Sequence, residues 1–270
     1  MTGSESQRRE LGAFLRRSRD ALDRSELGLP PGGRGRTRGL RREEVAVFSS
    51  VSVTWYTWLE QGRDITPSRQ VLEAVSAALR LDDGQRAYVL GLGGYASASA
   101  PGTDLRPMPG HLRALVDALG DSPAFVLTAD WHIAAWNAAY EALFPRVAQV
   151  AESDRNLLGL IFTDPSVREL LDDWESDSRH FLAEFRAEVG GRLADPRIAP
   201  LVERLREASA DFARAWKDHG VERFASRERW FVHPRGGRVR YLHHRLVAAD
   251  EPSFHLVVYT PQGGDAAGGS

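Results

Sequence analysis

A chain of 270 residues is long enough for one large domain or two ordinary ones. Its composition, 42% hydrophobic and 27% charged, is typical of a globular protein, and no apolar run reaches the roughly 18 residues of a transmembrane helix. The first ten residues, MTGSESQRRE, have no apolar core, so we expect no secretory signal and no membrane partner. Cysteine is absent, which excludes disulfides, Cys-zinc sites and thiol catalysis and favours a cytoplasmic protein.

The net charge of -2 hides an uneven distribution along the chain. Residues 1–95 carry 15 Arg against 12 Asp and Glu, a net charge of +3, so the remainder carries -2 minus +3, or -5. A basic first third and an acidic remainder favour two domains, with the basic one close to a polyanion. Charge alone leaves a solvated basic surface as an equally good interpretation.

An amphipathic helix over residues 8–23 is predicted from the spacing of Leu11, Phe14, Leu15 and Leu22. The following SELGLPPGGRGRTRG is rich in Pro, Gly and Arg and predicts a loop. Its arginines either contact phosphates or the minor groove of a nucleic acid, or only keep a linker soluble.

A helix, a tight turn and a second helix are predicted over residues 41–62. Residues 41–48 form the first helix, with Val45 and Ala46 inward, and SSV ends it at 49–51. Ser52 is a good N-cap for the next helix, and Gly62 suits the left-handed residue that follows a helix.

The two faces of the second helix have different compositions. Its buried face is predicted to hold Trp55, Tyr56 and Leu59. Its outward face carries hydroxyls, an amide and an indole, on Thr54, Thr57, Trp58 and Gln61. Such groups bond or pack against base edges, whereas an ordinary surface helix more often shows Glu/Lys pairs. A helical hairpin with no DNA role is the alternative.

Two more helices complete an all-α domain of five helices over residues 1–93. Thr66-Pro67-Ser68 is predicted to cap the fourth, with Pro67 at the first helical position. Asp82 and Gln85 have the spacing of a capping box at the start of the fifth.

The spellings GLRREEVA, VSVTWY, LEQGR and PSRQVLEAVSAALRL resemble the helix-turn-helix of the XRE-type, phage-repressor-like regulators. GLPPGGRGRTRGLRREEVA is similar to the MmyB-like group among them. The resemblance implies a homodimeric transcription regulator, expected to be a repressor, that reads double-stranded DNA with residues 52–61. It implies DNA contacts by Arg38, Arg41, Arg42, Ser52, Val53, Thr54, Thr57, Trp58 and Arg63.

This chain departs from the family spelling at two places. Ser49-Ser50 stands where the turn usually has Ala-Gly, and a Ser at positive φ is strained where Gly is not. Trp58 stands where members tend to carry Arg. Both changes put the DNA sequence preference or affinity in doubt.

The segment 94–110 is small, polar and rich in Pro and Gly, and predicts a linker. Residues 111–262 predict a short helix, two strands, a helix capped by Asn137, two long helices opened by Asp164-Pro165 and Asp195-Pro196, and three strands. This order predicts an α+β domain, a five-stranded antiparallel sheet with helices on one face. A disordered tail is expected at 263–270.

The order of AAWN, FTDP, FR, HP and VVY resembles the MmyB-like ligand-binding domain, which is PAS-like. The resemblance implies a small-molecule effector, apolar or similar to a fatty acid, and no other cofactor. The candidate ligand contacts are aromatic and polar residues of this segment: Trp136, Asn137, Phe162, Trp174, Phe185, Arg186, Phe212 and Trp216.

Arg186 lies beside an apolar helical stripe, so its guanidinium needs an anionic partner. That partner is either a ligand carboxylate or an internal acid such as Asp173 or Asp211, and the internal pair is slightly favoured.

Catalysis is the rival class of function. His233, His243, His244 and His255 lie on the final predicted strands, but adjacent His243 and His244 point to opposite faces, which disfavours a metal site. There is no standard phosphate loop and no G-x-S-x-G elbow, so we expect no enzyme. The second hypothesis is a helix-turn-helix used for protein contacts, joined to a sensor or metal-dependent enzyme.

Overall fold

The computed structural model describes residues 3–29, 39–95, 108–234 and 237–262. The arginine-rich loop with Arg38, most of the predicted linker and the predicted tail lie outside the described residues. None of the described helices is long and apolar enough to span a bilayer.

The chain forms two compact units, and neither is one continuous segment. Unit 1 comprises Met1–Ala98, Arg186–Val202 and Trp216–Arg223. Unit 2 comprises Ser99–Phe185, Glu203–Ala215 and Phe224–Ser270. The predicted domain boundaries, at residues 93 and 111, stay a prediction.

The first part of unit 1 is helical, as predicted. The described helices are α1 (Gly3–Ala21), α2 (Arg42–Phe48), α3 (Val53–Glu60), α4 (Arg69–Ala78) and α5 (Asp83–Leu92), with a 3-10 turn at Arg24–Leu27. Their apolar stripes meet in one core, in which Leu15, Val45, Tyr56 and Val75 are fully buried. Burial of these stripes is the main force that assembles such short helices.

Local signals fix where most of these helices begin and end. The Ser52 hydroxyl accepts from the backbone N–H of Trp55 at 3.1 Å, and Asp82 and Gln85 form the reciprocal capping box. At α4 the prediction was wrong. Ser68 is the N-cap, and Pro67 lies before the helix instead of at its first position.

The turn between α2 and α3 is strained in the way the Ser-Ser spelling predicts. Ser50 has φ 57, a left-handed conformation that costs a residue with a Cβ more than it costs glycine. The Ser49 hydroxyl donates to the Val45 carbonyl at 2.6 Å. Gly62, after α3, has φ 65, as predicted.

In the described part of unit 2, five strands form one antiparallel sheet, which confirms the predicted α+β class. They are β1 (Ala124–Thr128), β2 (Ile133–Trp136), β3 (Arg227–His233), β4 (Gly237–Val247) and β5 (Phe254–Pro261), in the spatial order β2-β1-β5-β4-β3. β1 pairs with both β2 and β5, so the first hairpin joins the last three strands through β5.

Helices pack on both faces of this sheet, not on one as predicted. On one face α6 (Gly110–Ala118) buries Leu112 and Val116 against Val126. On the other, the rings of Phe125 and Tyr140 lie 4.4 Å apart, and Tyr140 belongs to α7 (Ala138–Leu143). β1 is therefore buried on both sides, which explains its unbroken apolar run.

Each of the two predicted long helices is two helices. The first is α9 (Pro165–Leu170) and α10 (Trp174–Val189), and the second is α11 (Ile198–Ala208) and α12 (Ala210–Lys217). A further helix, α8 (Leu157–Thr163), precedes them. Between α9 and α10 the chain pairs with β3, because the Asp172 N–H donates to the Trp230 carbonyl at 3.1 Å. Between α11 and α12, Ser209 leaves the helix and caps the next by accepting from the Phe212 N–H at 3.2 Å.

Candidate DNA-reading surface and ligand cavity

The outer face of α3 is uncharged and open to solvent. Val53 and Trp58 are each 39% exposed, and Thr54 is exposed beside them. Ser52, at the cap, is exposed as well, whereas Thr57 is half-buried. The predicted reading residues therefore do share one accessible surface.

Several polar groups of that surface are already bonded within the protein. The Thr57 hydroxyl donates to the Val53 carbonyl at 2.8 Å. The Gln61 Oε1 accepts from Arg63 Nε at 2.9 Å, and the Arg63 guanidinium lies 5.8 Å from the centre of the Trp58 ring. Thr57 and Gln61 thus have less hydrogen-bonding capacity left than their side chains suggest.

A buried carboxylate positions α3 from behind. The Glu60 side chain is 1% exposed and accepts from Arg19 Nε at 2.5 Å and Arg42 Nε at 2.7 Å. Arg19 lies on α1 and Arg42 on α2, so one acid joins three helices. Sequence reasoning missed Glu60, although its place four residues after Tyr56 puts it on the buried face.

The predicted phosphate contacts therefore differ in availability. Arg42 is half-buried and held by Glu60, whereas Arg41 is exposed at the N-cap of α2. Arg24 and Glu44 form a further pair, at 2.5 and 2.6 Å. Of the two arginines Arg41 is the better placed to meet a phosphate.

Unit 2 contains a small apolar cavity. Its volume is about 30 Å³, above the roughly 10–15 Å³ that a single water molecule requires. It lies between the helices from α7 to α10 and the sheet, and its walls are all aliphatic or aromatic: Tyr140, Leu143, Phe144, Leu157, Leu160, Ile161, Val167, Leu170, Leu171, Phe181, Phe231 and Tyr259.

The predicted ligand contacts lie elsewhere, in separate groups. Phe162 packs edge-on against Trp174 and Phe212, with ring centres 5.9 and 5.2 Å apart. Phe185 packs against Trp131 at 5.3 Å. The Trp136 indole N–H donates to Glu141 at 3.0 Å. As ligand contacts these residues stay a prediction.

Asn137 has a structural role that is visible in full. Its Oδ1 accepts from the backbone N–H groups of Ala124 and Tyr140, at 3.0 and 2.9 Å, and its Nδ2 donates to the Ser122 carbonyl at 2.9 Å. One amide therefore caps α7, as predicted, and also holds the start of β1.

Arg186 has an internal acid, but neither of the two expected ones. Its fully buried guanidinium pairs with Glu10 and donates to the Trp216 carbonyl at 2.5 Å. The guanidinium also lies 3.9 Å from the centre of the Trp216 ring. All three residues belong to unit 1. Asp211 pairs instead with Arg168, at 3.0 Å.

Glu10 is the centre of this group, the Glu10 cluster (Glu10, Tyr88, Arg186, Trp216 and His219). The Tyr88 hydroxyl donates to Glu10 at 2.8 Å, and His219 Nδ1 lies 3.0 Å from the same carboxylate. Burial alone would raise the pKa of Glu10, but the His219 hydrogen bond and the charges of Arg186 and His219 outweigh it and lower that pKa.

A second buried arginine, Arg229 on β3, lies beside the cavity in unit 2. It pairs with Asp177, and its Nε donates to His243 Nδ1 at 3.1 Å. Its guanidinium lies 3.9 Å from the ring centre of Phe181, a cavity wall. Burial and the Arg229 charge lower the pKa of His243 well below its usual value, so this imidazole is neutral. Arg229 lies two residues before buried Phe231 on β3, so the two side chains share one face of the strand. This spacing could have predicted that Arg229 is buried, and sequence reasoning missed it.

The four histidines of the final strands do not gather. His243 and His255 are buried, and His244 Nε2 lies 3.0 Å from the Thr260 hydroxyl. Within the described ranges, no three His, Asp or Glu side chains form a group that could hold a metal ion.

Comparison with family models identifies both parts of the chain. A helix-turn-helix model matches residues 10–89, and a model described as the MmyB-like transcription regulator ligand binding domain matches residues 108–270. The chain belongs to the MmyB-like transcription regulators, since the second match covers more than half of it. A comparison with curated proteins gives no match.

The chain therefore combines a helix-turn-helix with a ligand-binding domain, the composition of a ligand-responsive DNA-binding regulator. The resemblance seen in the sequence is confirmed at this level.

Proposed function

We propose that this protein is a cytoplasmic, homodimeric repressor of the XRE type that places α3 in the major groove. The observation that carries the proposal is the outer face of α3, where Val53, Thr54 and Trp58 are exposed and free of charge. Glu60 fixes that face from behind through Arg19 and Arg42. A rigid helix with base-compatible side chains is the arrangement by which a helix-turn-helix reads DNA.

Replacing Thr54 with Ala tests this placement. Because Thr54 is exposed on the outer face of α3, we expect Thr54→Ala to weaken binding at particular base pairs by about 1–3 kcal/mol and to leave other positions unchanged. The measurement is a mobility-shift series on the DNA upstream of the gene, with single base-pair changes. Leu115→Ala, an exposed apolar residue of α6, is the control. A uniform loss across all duplexes would show that α3 does not read the bases.

We further propose that the effector is an apolar or fatty-acid-like molecule that enters a PAS-like domain at the cavity of unit 2. Every wall residue of the cavity is aliphatic or aromatic, and the buried Arg229 cation lies against one wall at Phe181. A volume of about 30 Å³ is far below the roughly 300–1,000 Å³ of ligand pockets, so wall side chains must move apart on binding. The ligand would then select an open arrangement that differs in DNA affinity.

Native mass spectrometry of the purified protein tests the ligand proposal. We expect a co-purified acyl-chain molecule in the wild type and its loss, by about tenfold, in Val167→Phe, which fills the cavity with a bulky ring. Val232→Phe is the matched control, because Val232 is 44% exposed on β3. If both variants retained the same amount of bound ligand, the ligand would bind somewhere other than this cavity. A stoichiometric metal would favour an enzyme instead of the non-catalytic regulator proposed here.

A further inference from the structure

Exposed apolar side chains lie at the end of α2 and along α3. Val47 and Phe48 are 74% and 48% exposed, and Val53 and Trp58 follow them on α3 at 39% each. Together we call these four residues the apolar patch. Large apolar groups are normally buried, so four exposed ones on two successive short helices indicate a surface for a partner.

Several side chains on or next to α3 that could hydrogen-bond to base edges are already bonded within the protein. The Thr57 hydrogen is donated to the Val53 carbonyl, Ser52 accepts from the Trp55 N–H, and Gln61 accepts from Arg63. Between residues 53 and 61 the one charged side chain is Glu60, which is buried behind the helix. The accessible face of α3 therefore combines the exposed Thr54 hydroxyl with the larger apolar side chains of Val53 and Trp58.

The major groove presents one apolar group to a protein, the C5 methyl of thymine. Val53 and Trp58 belong to the helix that the DNA-binding proposal places in this groove. Exposed Arg63 lies 5.8 Å from the centre of the Trp58 ring, and exposed Arg41 is the N-cap of α2. Exposed arginines on the same two helical segments suit phosphate contacts, which favours DNA over a protein as the partner.

We propose that Val53 and Trp58 recognise the methyl groups of thymine, so that this protein selects its DNA by apolar contact more than by hydrogen bonds. The proposal rests on the DNA-binding function proposed above and names its chemistry. It also gives Trp58 a positive role: the indole replaces a charged contact with an apolar one.

The test uses uracil, which keeps every hydrogen-bonding edge of thymine and lacks the methyl. The full-length protein selects binding duplexes from a random-sequence library, and the recovered duplex is made with thymine or with uracil throughout. We expect uracil to raise the Kd by about tenfold, the scale of one lost base contact. Val53→Ala and Trp58→Ala should reduce that ratio towards one, and Leu115→Ala should preserve it.

Each other outcome has a distinct meaning. Equal Kd values for the thymine and uracil duplexes in the wild type overturn the methyl proposal and leave DNA binding intact. Failure to select any duplex overturns the DNA-binding proposal, and the methyl proposal with it. If Trp58→Ala changes the oligomeric state in light scattering while the thymine-to-uracil ratio stays unchanged, the patch is a protein interface and the proposal is wrong.

Discussion

The candidate reading face and the predicted ligand contacts differ in how the fold uses them. On α3, Val53, Thr54 and Trp58 remain exposed and make up a surface. Among the predicted ligand contacts, Phe185, Arg186 and Phe212 are fully buried. Asn137 is buried too, and its amide holds the backbone. Outward composition on a helix thus indicates a recognition surface, whereas aromatic and polar residues of a core serve packing first.

Replacing Arg186 should have the largest effect on stability. It tests whether this buried residue holds the fold together or anchors a ligand. Arg186→Leu leaves Glu10 buried without its cation, which typically costs about 3–5 kcal/mol of the free energy of unfolding. The measurement is chemical denaturation of the full chain. Arg168→Leu is the control, with a side chain 57% exposed and a pair that contributes about 1 kcal/mol or less. If Arg186→Leu kept wild-type stability and lost only its ligand, Arg186 would be a ligand anchor.

Replacing Asn137 should cause the next largest loss of stability. Asn137→Ala removes the cap of α7 and leaves the Ala124 N–H without its acceptor, for a loss of about 2–3 kcal/mol in unfolding free energy. Denaturation monitored by circular dichroism measures it, with Asn156→Ala, a second buried N-cap at α8, as a comparison variant. A change below about 0.5 kcal/mol, within the range of ordinary surface substitutions, would contradict the bridging role.

The Glu10 cluster also predicts how stability depends on pH. The pKa of Glu10 is lowered in the folded state, so its contribution is present above the unfolded value of 4.5 and is lost as the pH falls through the folded pKa. Unfolding free energies measured from neutral to acid pH should therefore fall more steeply in the wild type than in Glu10→Gln. If the unfolding free energy depended on pH in the same way in both proteins, Glu10 would not contribute to the acid sensitivity.

The smallest expected effect is a gain in stability, from replacing Ser50 with Gly. Ser50 has φ 57, so Ser50→Gly should relieve the turn between α2 and α3 and raise the unfolding free energy by up to about 1 kcal/mol. Thermal unfolding measures the change. Ser25→Gly, at an exposed residue with ordinary backbone geometry, is the comparison and should not stabilise the chain. A loss of stability in Ser50→Gly would show that the turn is not under strain.

The sequence predicts local structure well where the signal is local. Ser52, Asp82 and Asn137 are caps because a short polar side chain precedes an apolar stripe, and the structure confirms all three. The first predicted long helix was wrong because Asp172 pairs with β3, a contact distant in sequence, and the second because Ser209 leaves the helix and caps α12. Continuous apolar periodicity shows no sign of such a break.

The candidate sites could likewise be predicted only where they depend on local spacing and not on contacts between distant parts of the chain. The exposed face of α3 could be predicted because a helix surface depends on spacing alone. The Glu10 cluster could not, since Glu10 and Arg186 are far apart in the sequence and meet only in the folded chain. The cavity depends on which side chains packing leaves apart, so its wall residues, such as Val167 and Phe231, carry no distinct pattern.

We propose above all that this protein binds specific DNA through α3. Fluorescence anisotropy of a selected duplex and a shuffled duplex, over a series of salt concentrations, tests it most directly. We predict tighter binding to the selected duplex, a linear fall of log affinity with log salt, and for Arg41→Ala an equal loss on both duplexes with a slope smaller by about 1. Equal affinity for the two duplexes, or affinity that does not change with salt, would contradict the claim.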